Sequence, residues 1–108
     1  MPQITYEITA SVESSLIDEY ELFMTQTHIP DLMATGNFVS ATFSRSDTGR
    51  YRIRYEAKDR DHLDRYLRTD APRLRSHVAE VFPTGVDFSR EEWDVLGSFT
   101  EGESDDRP

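Results

Sequence analysis

Residues 38–58, FVSATFSRSDTGRYRIRYEAK, contain two alternating segments joined by a turn, and this stretch decides the fold. The apolar positions of the two segments are Val39, Ala41 and Phe43, then Tyr51, Ile53, Tyr55 and Ala57. An alternation with a period of two is typical of a strand with one buried face. The intervening Ser46-Asp47-Thr48-Gly49 is a hairpin signal. The stretch therefore predicts two antiparallel strands.

The segments on either side of this hairpin complete a βαββαβ order. Residues 4–12 alternate as a strand and are followed by an amphipathic helix, and a second helical stripe follows the hairpin. A last strand is predicted within residues 86–99, with an apolar face that includes Trp93, Val95 and Phe99. Right-handed crossovers then favour an α+β, ferredoxin-like sandwich with an antiparallel sheet of order 4-1-3-2 and both helices on one face.

The domain limits follow from the distribution of apolar residues. Residues 1–99 are expected to form a single ferredoxin-like domain, because a chain of 108 residues builds one core. Residues 100–108 contain no apolar side chain and are expected to be a disordered acidic tail. Neither a signal peptide nor a membrane-spanning run is visible, so the sequence predicts a cytoplasmic protein without membrane contact.

The charge composition excludes some classes of partner. The chain has 21 acidic and 12 basic residues and a net charge of −9, which argues against nucleic-acid binding. The absence of cysteine excludes thiolate chemistry and cysteine-ligated metals. Lys58 is the only lysine. An acid excess with almost no lysine is typical of a halophile, where salt screens the repulsion; a GC-rich genome is the alternative reason for the arginine bias.

The run Thr27–Phe38 is the most probable location of a site on sequence grounds. Pro30 is expected to break the first helix near His28, Asp31 to cap the restarted turn, and Gly36 to end it. His28 can then act as a base, an acid or a ligand. Alternatively, its ring bonds a carbonyl that the helix break leaves free. The three histidines are too scattered for a metal site, and no cofactor motif is present.

Other candidate ligand-binding residues are Asp31, Arg52, Arg54, Tyr55 and Arg75. Arg52 and Arg54 lie two apart on the third strand and form either an anion site or, with Glu7, a salt-bridged dimer interface. Tyr55 is expected between sheet and helices, as core or as a pocket donor.

Arg75 lies on the second helical stripe. It is expected to pair with Asp31 or Asp70, or else to enter a pocket with His28. The two other histidines, His62 and His77, are expected to face solvent.

Several of these residues resemble a known pattern. The combination consists of His28-Ile29-Pro30-Asp31, Thr35-Gly36, Phe38, Tyr55, Tyr66-Leu67 and Ala71-Pro72-Arg73-Leu74-Arg75. It resembles a small bacterial family of domains of unknown function within the dimeric α/β-barrel, ferredoxin-like proteins. The resemblance reaches from the first strand to about Leu96 and implies the fold and a homodimer. The face of the sheet that the helices leave uncovered is the surface expected to pair two copies. The resemblance implies no reaction.

Three functions remain open from the sequence. The first is a homodimer with a small-molecule pocket between the first helix and the sheet and no assigned reaction. The second is a cofactor-independent monooxygenase or isomerase-like enzyme with His28 as base, since the architecture is similar to that of such enzymes. The third is a haem-binding protein with His28 as axial ligand. Whether the chain is an enzyme is left open.

Overall fold

The computed structural model describes residues 3–102, and the remaining residues, 1–2 and 103–108, lie outside this part. The tail predicted for residues 100–108 therefore falls mostly outside it. The strands are β1 (Gln3–Val12), β2 (Phe38–Arg45), β3 (Arg50–Ala57) and β4 (Val86–Val95). The helices are α1 (Ile17–Phe23), a π segment (Met24–His28), α2 (Ile29–Met33), α3 (Arg60–Thr69) and α4 (Ala71–Val81).

The four strands form one antiparallel sheet of order β2-β3-β1-β4. This is the predicted order read from the opposite edge, and the ferredoxin-like α+β fold is confirmed. In the central pair, Tyr6 lies opposite Tyr55 and Glu7 lies opposite Arg54. Successive side chains point to opposite faces of a sheet, so tyrosines face the helices and charged residues the other side.

The core lies between the sheet and the helices. The alternating residues of the two central strands supply one wall, and these are all buried: Ile4, Tyr6, Ile8, Ala10, Tyr51, Ile53, Tyr55 and Ala57. Leu63, Tyr66, Leu74 and Val78 from α3 and α4 close the other wall. No helix of residues 3–102 covers the opposite face of the sheet, which we call the open face. None of the helices within residues 3–102 has the length and apolarity needed to cross a bilayer.

The predicted buried face of β2 is wrong at its first residue. The pairing of β2 with β3 shifts between Phe38 and Ser40, so one residue is inserted in the strand. A bulge of this kind changes which residues of the strand point toward the core. As a result Phe38 is buried, whereas Val39, predicted to be inside, is 59% exposed.

The predicted apolar face of β4 is also wrong. Trp93 lies opposite Thr5 and therefore belongs to the open face, where it is 48% exposed. Phe99 lies beyond the strand and is exposed. Arg90, opposite Ile8, is in phase with the half-buried Phe88 on the helix side. The face of β4 was assigned wrongly because β4 is an edge strand, and its helix-facing side changes from apolar to charged residues along its length.

The predicted break of the first helix does not occur. The chain stays helical from Ile17 to Met33, and the π segment separates α1 from α2. The N–H of Ile29 donates to the carbonyl of Met24, five residues earlier. Pro30 has no N–H and would crowd a regular α-turn, and the wider π turn accommodates it. Asp31 makes no capping bond, whereas Gly36 ends the run with a φ of +81°.

Candidate functional site

A small cavity lies between the π segment, α4 and the sheet. Its volume is about 20 Å³, which is room for about one water molecule. The residues that line it are Tyr6, Ile8, Met24, His28, Ile53, Tyr66, Arg75, Val78, Phe88 and Arg90. Apolar side chains form most of the wall, and a histidine, two tyrosines and two arginines supply the polar atoms.

His28 is buried in this wall, with 6% of its surface exposed. Its Nδ1 has no hydrogen-bond partner among residues 3–102, so the expected bond from the ring to a freed carbonyl is not present at this atom. The ring stacks on Phe23, with 6.0 Å between centroids. The hydroxyls of Tyr20 and Tyr55 are also buried without a partner among residues 3–102, but neither of these tyrosines lines the cavity as His28 does.

The environment of His28 keeps its imidazole uncharged. Burial, with a smaller contribution from the charge interaction with His77, lowers its pKa from 6.5 to about 4. The charge of Asp31 raises the pKa of His28 and the charge of Arg90 lowers it, and both effects are smaller than that of burial. At neutral pH the ring therefore offers one N–H donor and one nitrogen acceptor.

The sequence predicted that His77 faces solvent, whereas in the structure it is half-buried. It packs edge-on against Phe23, with ring centroids 5.3 Å apart. His62 is half-buried as well, because its ring Nδ1 lies 2.7 Å from Asp59 Oδ1 at the start of α3. His77 is covered because α4 packs against α1, which is distant in the chain. His62 is covered by the residue that caps its own helix.

The π segment explains why His28 reaches the core. Tyr20, Met24, His28 and Leu32 are spaced by four residues, and all four are buried. In an α-helix, residues four apart are rotated by about 40°, so three such steps would turn the stripe about 120°. The extra residue in the π turn offsets this drift. It keeps Met24 and His28 on the stripe that faces the cavity.

Arg75 contributes a fixed cation to the cavity. Its Nη2 donates a hydrogen bond of 2.8 Å to the hydroxyl oxygen of Tyr6. The expected pairing of Arg75 with Asp31 or Asp70 is not observed within residues 3–102, where Asp70 contacts Arg73 Nη2 at 3.4 Å. Tyr6 thus orients a guanidinium whose remaining N–H groups have no acidic partner among the described residues.

Arg90 is a site residue that the sequence reasoning missed. It lines the cavity from β4, and its guanidinium carbon lies 5.6 Å from the centroid of the Phe88 ring. Its signal was that Val86, Phe88 and Arg90 follow one another at intervals of two residues, which places all three on one face. The prediction took the phase of β4 from Trp93 and Val95 instead.

A larger groove adjoins the cavity on the β4 side. It has a volume of about 390 Å³ and is lined by Tyr6, Leu67, Arg75, Arg90, Glu91 and Glu92. Tyr6, Arg75 and Arg90 line both spaces and so form the boundary between them. Glu92 is already engaged, since its Oε1 accepts a 2.6 Å hydrogen bond from Arg60. We call this space the outer groove.

Tyr55 and Asp31 lie near the site without forming it. Tyr55 is completely buried in the core and does not line the cavity, and its hydroxyl has no hydrogen-bond partner among residues 3–102. Burial raises the pKa of Tyr55 well above its ordinary value. Asp31 is exposed and reaches the site only through its charge. Tyr66, from α3, is the tyrosine that joins Tyr6 in the cavity wall.

Arg52 and Arg54 lie away from this cavity, on the open face of the sheet. The Nε of Arg54 is 3.7 Å from Oε2 of Glu7, which also accepts a 3.2 Å hydrogen bond from Thr5. Arg52 lies opposite Thr9 on β1. Because alternate strand residues point to opposite sides, neither arginine can share a ligand with His28.

The cavity does not fit a haem group. A volume of about 20 Å³ beside His28 holds roughly one water molecule, far less than a porphyrin requires. Among residues 3–102 there is also no group of three or more histidine, aspartate and glutamate side chains able to hold a metal ion. The donors that do converge, a neutral imidazole, two phenols and two guanidiniums, match an organic molecule better than a metal.

The comparisons with known proteins agree with the fold. A family model described as a domain of unknown function, DUF4286, matches residues 3–96. No curated protein matches the sequence. A variant of SnoaB, a cofactor-independent oxygenase from Streptomyces nogalater, has a TM-score of 0.72 and 18% identity, over 92% of this chain and 98% of that one.

Two further solved structures have the same fold. A dimeric ferredoxin-like protein from an uncultured marine organism has a TM-score of 0.61 and 13% identity, over 92% of this chain and 100% of that one. A protein of unknown function from Nitrosomonas europaea has a TM-score of 0.67 and 11% identity, over 94% and 97%. At these identities the likeness is one of fold, and function rests on the site.

Proposed function

We propose a role for this chain, which belongs to the DUF4286 family of unknown function, from the chemistry of its site. The protein is a homodimer that binds a small molecule between the first helical run and the sheet, beside His28. One observation carries the proposal: a buried, uncharged imidazole with an unpaired Nδ1 lies beside a cavity bounded by two arginines. A ligand that bonds to Nδ1 would recover the free energy that the burial of this nitrogen costs.

The ligand enters from the outer groove. The inner cavity alone is too small for an organic molecule, but it adjoins a groove of about 390 Å³ across Tyr6, Arg75 and Arg90. Met24 lines the inner cavity, and its unbranched side chain can change rotamer to enlarge it. Binding sites of this type combine an apolar wall with a few convergent polar groups.

Binding is favoured over base catalysis by His28. A general base works best when its pKa lies near the working pH. The pKa of His28 is lowered to about 4, so at pH 7 the ring is uncharged but only weakly basic. The likeness to the oxygenase SnoaB concerns the fold and leaves this argument unchanged.

The pocket is tested with a fragment library and NMR. Fragments that bind are expected to shift the ring signals of His28 and Tyr66. Val78→Leu adds about one methylene to the wall of a cavity of about 20 Å³ and is expected to weaken their binding by about tenfold. Val81→Leu, on the same helix but exposed, is the control and should bind as the unmodified chain does. Binding that is unchanged in Val78→Leu, or the lack of any fragment that shifts His28, would contradict the proposal.

The homodimer is proposed to form through the open face. The helices cover one side of the sheet, whereas the other side exposes Trp93, Arg52 and Arg54. A similar fold is described as dimeric in the protein from an uncultured marine organism. An isologous contact of two such faces would bury the indole and provide carboxylate partners for the arginines.

Dimerisation can be followed through the one tryptophan of the chain. We expect light scattering at micromolar concentration to give twice the monomer mass, and dilution to shift the Trp93 emission to longer wavelength as the indole becomes hydrated. Trp93→Glu is expected to weaken association by about tenfold or more. Leu22→Glu, on the helix side, should leave the mass unchanged. A monomer at all concentrations would exclude the dimer.

A further inference from the structure

We infer that the ligand is a small organic carboxylate with an apolar end. Its carboxylate lies between Arg75 and Arg90 at the boundary of the outer groove, and its apolar end extends toward His28 into the inner cavity, which a rotamer change of Met24 must enlarge to admit more than a methyl-sized group. The inference rests on the proposed function, because it assigns a chemical class to the ligand of that same site. It is carried by the charges at the boundary of the outer groove and by the composition of the inner wall.

The charges at the boundary favour an anion. The chain as a whole has a net charge of −9, yet two guanidiniums, those of Arg75 and Arg90, converge here without an ion-pair partner among residues 3–102. Other described arginines, such as Arg50 and Arg52, also lack an ion pair, but Arg75 and Arg90 are the two that line both the inner cavity and the outer groove. A guanidinium presents N–H groups in a fork that matches a carboxylate, which makes it a good anion receptor.

Tyr6 prepares Arg75 for this role. The hydrogen bond of 2.8 Å to the Tyr6 hydroxyl occupies Nη2 and holds the side chain at the mouth of the cavity. The other N–H groups of Arg75 stay available for a ligand, since the guanidinium has five donors. A receptor that is already oriented loses less side-chain entropy when it binds.

The rim of the groove limits the charge of the ligand. Glu91 and Glu92 line the outer groove, and their carboxylates repel a second negative charge. Glu92 is partly neutralised by Arg60, with which it is in contact at 2.6 Å. A monoanion such as a carboxylate therefore suits the groove better than a phosphate with nearly two charges.

The inner wall favours an apolar group. Five apolar side chains contribute to the cavity, namely Ile8, Met24, Ile53, Val78 and Phe88. These would contact the part of the ligand that leads away from its carboxylate. Each buried methylene adds hydrophobic binding free energy, so affinity should increase with the size of the apolar part until the outer groove and the space opened by Met24 are filled.

The test is a binding series at constant ionic strength, measured by calorimetry and by NMR of His28. The probes are acetate, butyrate, benzoate and 3-phenylpropionate, with benzamide as the neutral counterpart of benzoate and inorganic phosphate as the compact anion. We expect affinity to rise along the acids, and benzoate to bind about tenfold or more tightly than benzamide or phosphate.

Matched arginine variants locate the carboxylate. Arg75→Met and Arg90→Met are each expected to weaken benzoate binding by about tenfold or more. Arg73→Met, on the same helix but directed to Asp70, should stay within about twofold of the unmodified chain. Circular dichroism establishes that each variant is folded, and the use of two separate site variants keeps the test decisive if one of them is not.

The outcomes separate the two proposals. If benzamide binds as tightly as benzoate and both arginine variants have no effect, the pocket stands and the carboxylate assignment is overturned. If Arg73→Met weakens benzoate as much as Arg75→Met, the effect is one of general surface charge and the assignment is again overturned. If no probe binds but neutral fragments still shift His28, only the carboxylate assignment fails. If neither probes nor fragments shift His28, the proposed function fails as well.

Discussion

The free energy of unfolding is expected to fall by about 2 kcal/mol between pH 7 and pH 5 because of His28. In the folded protein burial lowers the pKa of this residue to about 4, whereas in the unfolded chain it returns to 6.5. Between these values the unfolded state binds a proton that the folded state does not. Stability from the neutral ring is therefore present above pH 6.5 and is lost as the pH falls toward 4.

Denaturant unfolding at pH 7, 6 and 5, at fixed protein concentration, measures this effect. His28→Gln cannot titrate in this range and is expected to lose the corresponding part of the pH dependence. His62→Gln is the matched control, since its ring lies beside Asp59 near the surface, and it should retain the acid destabilisation of the unmodified chain. Equal pH dependence in His28→Gln and the unmodified chain would show that His28 is not held neutral by burial.

Two conservative substitutions in the core are expected to stabilise the protein. The hydroxyl groups of Tyr20 and Tyr55 are buried and have no hydrogen-bond partner among residues 3–102. Such a group has lost its bonds to water without replacing them, which costs about 1–3 kcal/mol. Tyr20→Phe and Tyr55→Phe are therefore each expected to raise the free energy of unfolding by about 1–2 kcal/mol.

The aromatic packing of these two residues should survive the change. Tyr20 packs against Tyr51 with ring centroids 5.0 Å apart, and Tyr55 stacks on Tyr6 at 6.1 Å. Phenylalanine keeps the ring and removes only the oxygen. Denaturant unfolding of the single and double variants gives the values at a common pH.

Tyr51→Phe is the control, and it is expected to change the free energy of unfolding in the opposite direction. The Tyr51 hydroxyl donates a 2.6 Å hydrogen bond to Glu21 Oε2, so its removal should lower stability. A loss of stability in all three variants would mean that Tyr20 and Tyr55 also have partners, such as bound water.

The fold could be predicted because its signal is local. The alternation around Ile53 and Tyr55 and the turn at Gly49 need only neighbouring residues to be recognised, and the sheet order then follows from connection rules. The predictions were wrong where the alternation of buried and exposed residues along a strand changes. The bulge at Val39 and the charged inner face of β4 both reverse a pattern that period alone cannot detect.

The same reasoning explains the outcome at the first helix. Pro30 predicts a disturbance, and one is present, but as a π segment and not as a break. Whether a helix stops or widens at a proline depends on the packing of the turns before and after it. Here Met24 and Leu32 are both buried, so continuing the helix keeps both in the core.

The sequence by itself determined the order of the strands and helices, the family pattern and the choice of His28 as the leading candidate, because periodicity and motifs are properties of residues close together in the chain. The tertiary structure alone decided which groups meet His28. Arg75 comes from α4 and Arg90 from β4, and the two meet only where these elements line the same cavity. The burial that holds His28 neutral depends on that packing, which no local pattern encodes.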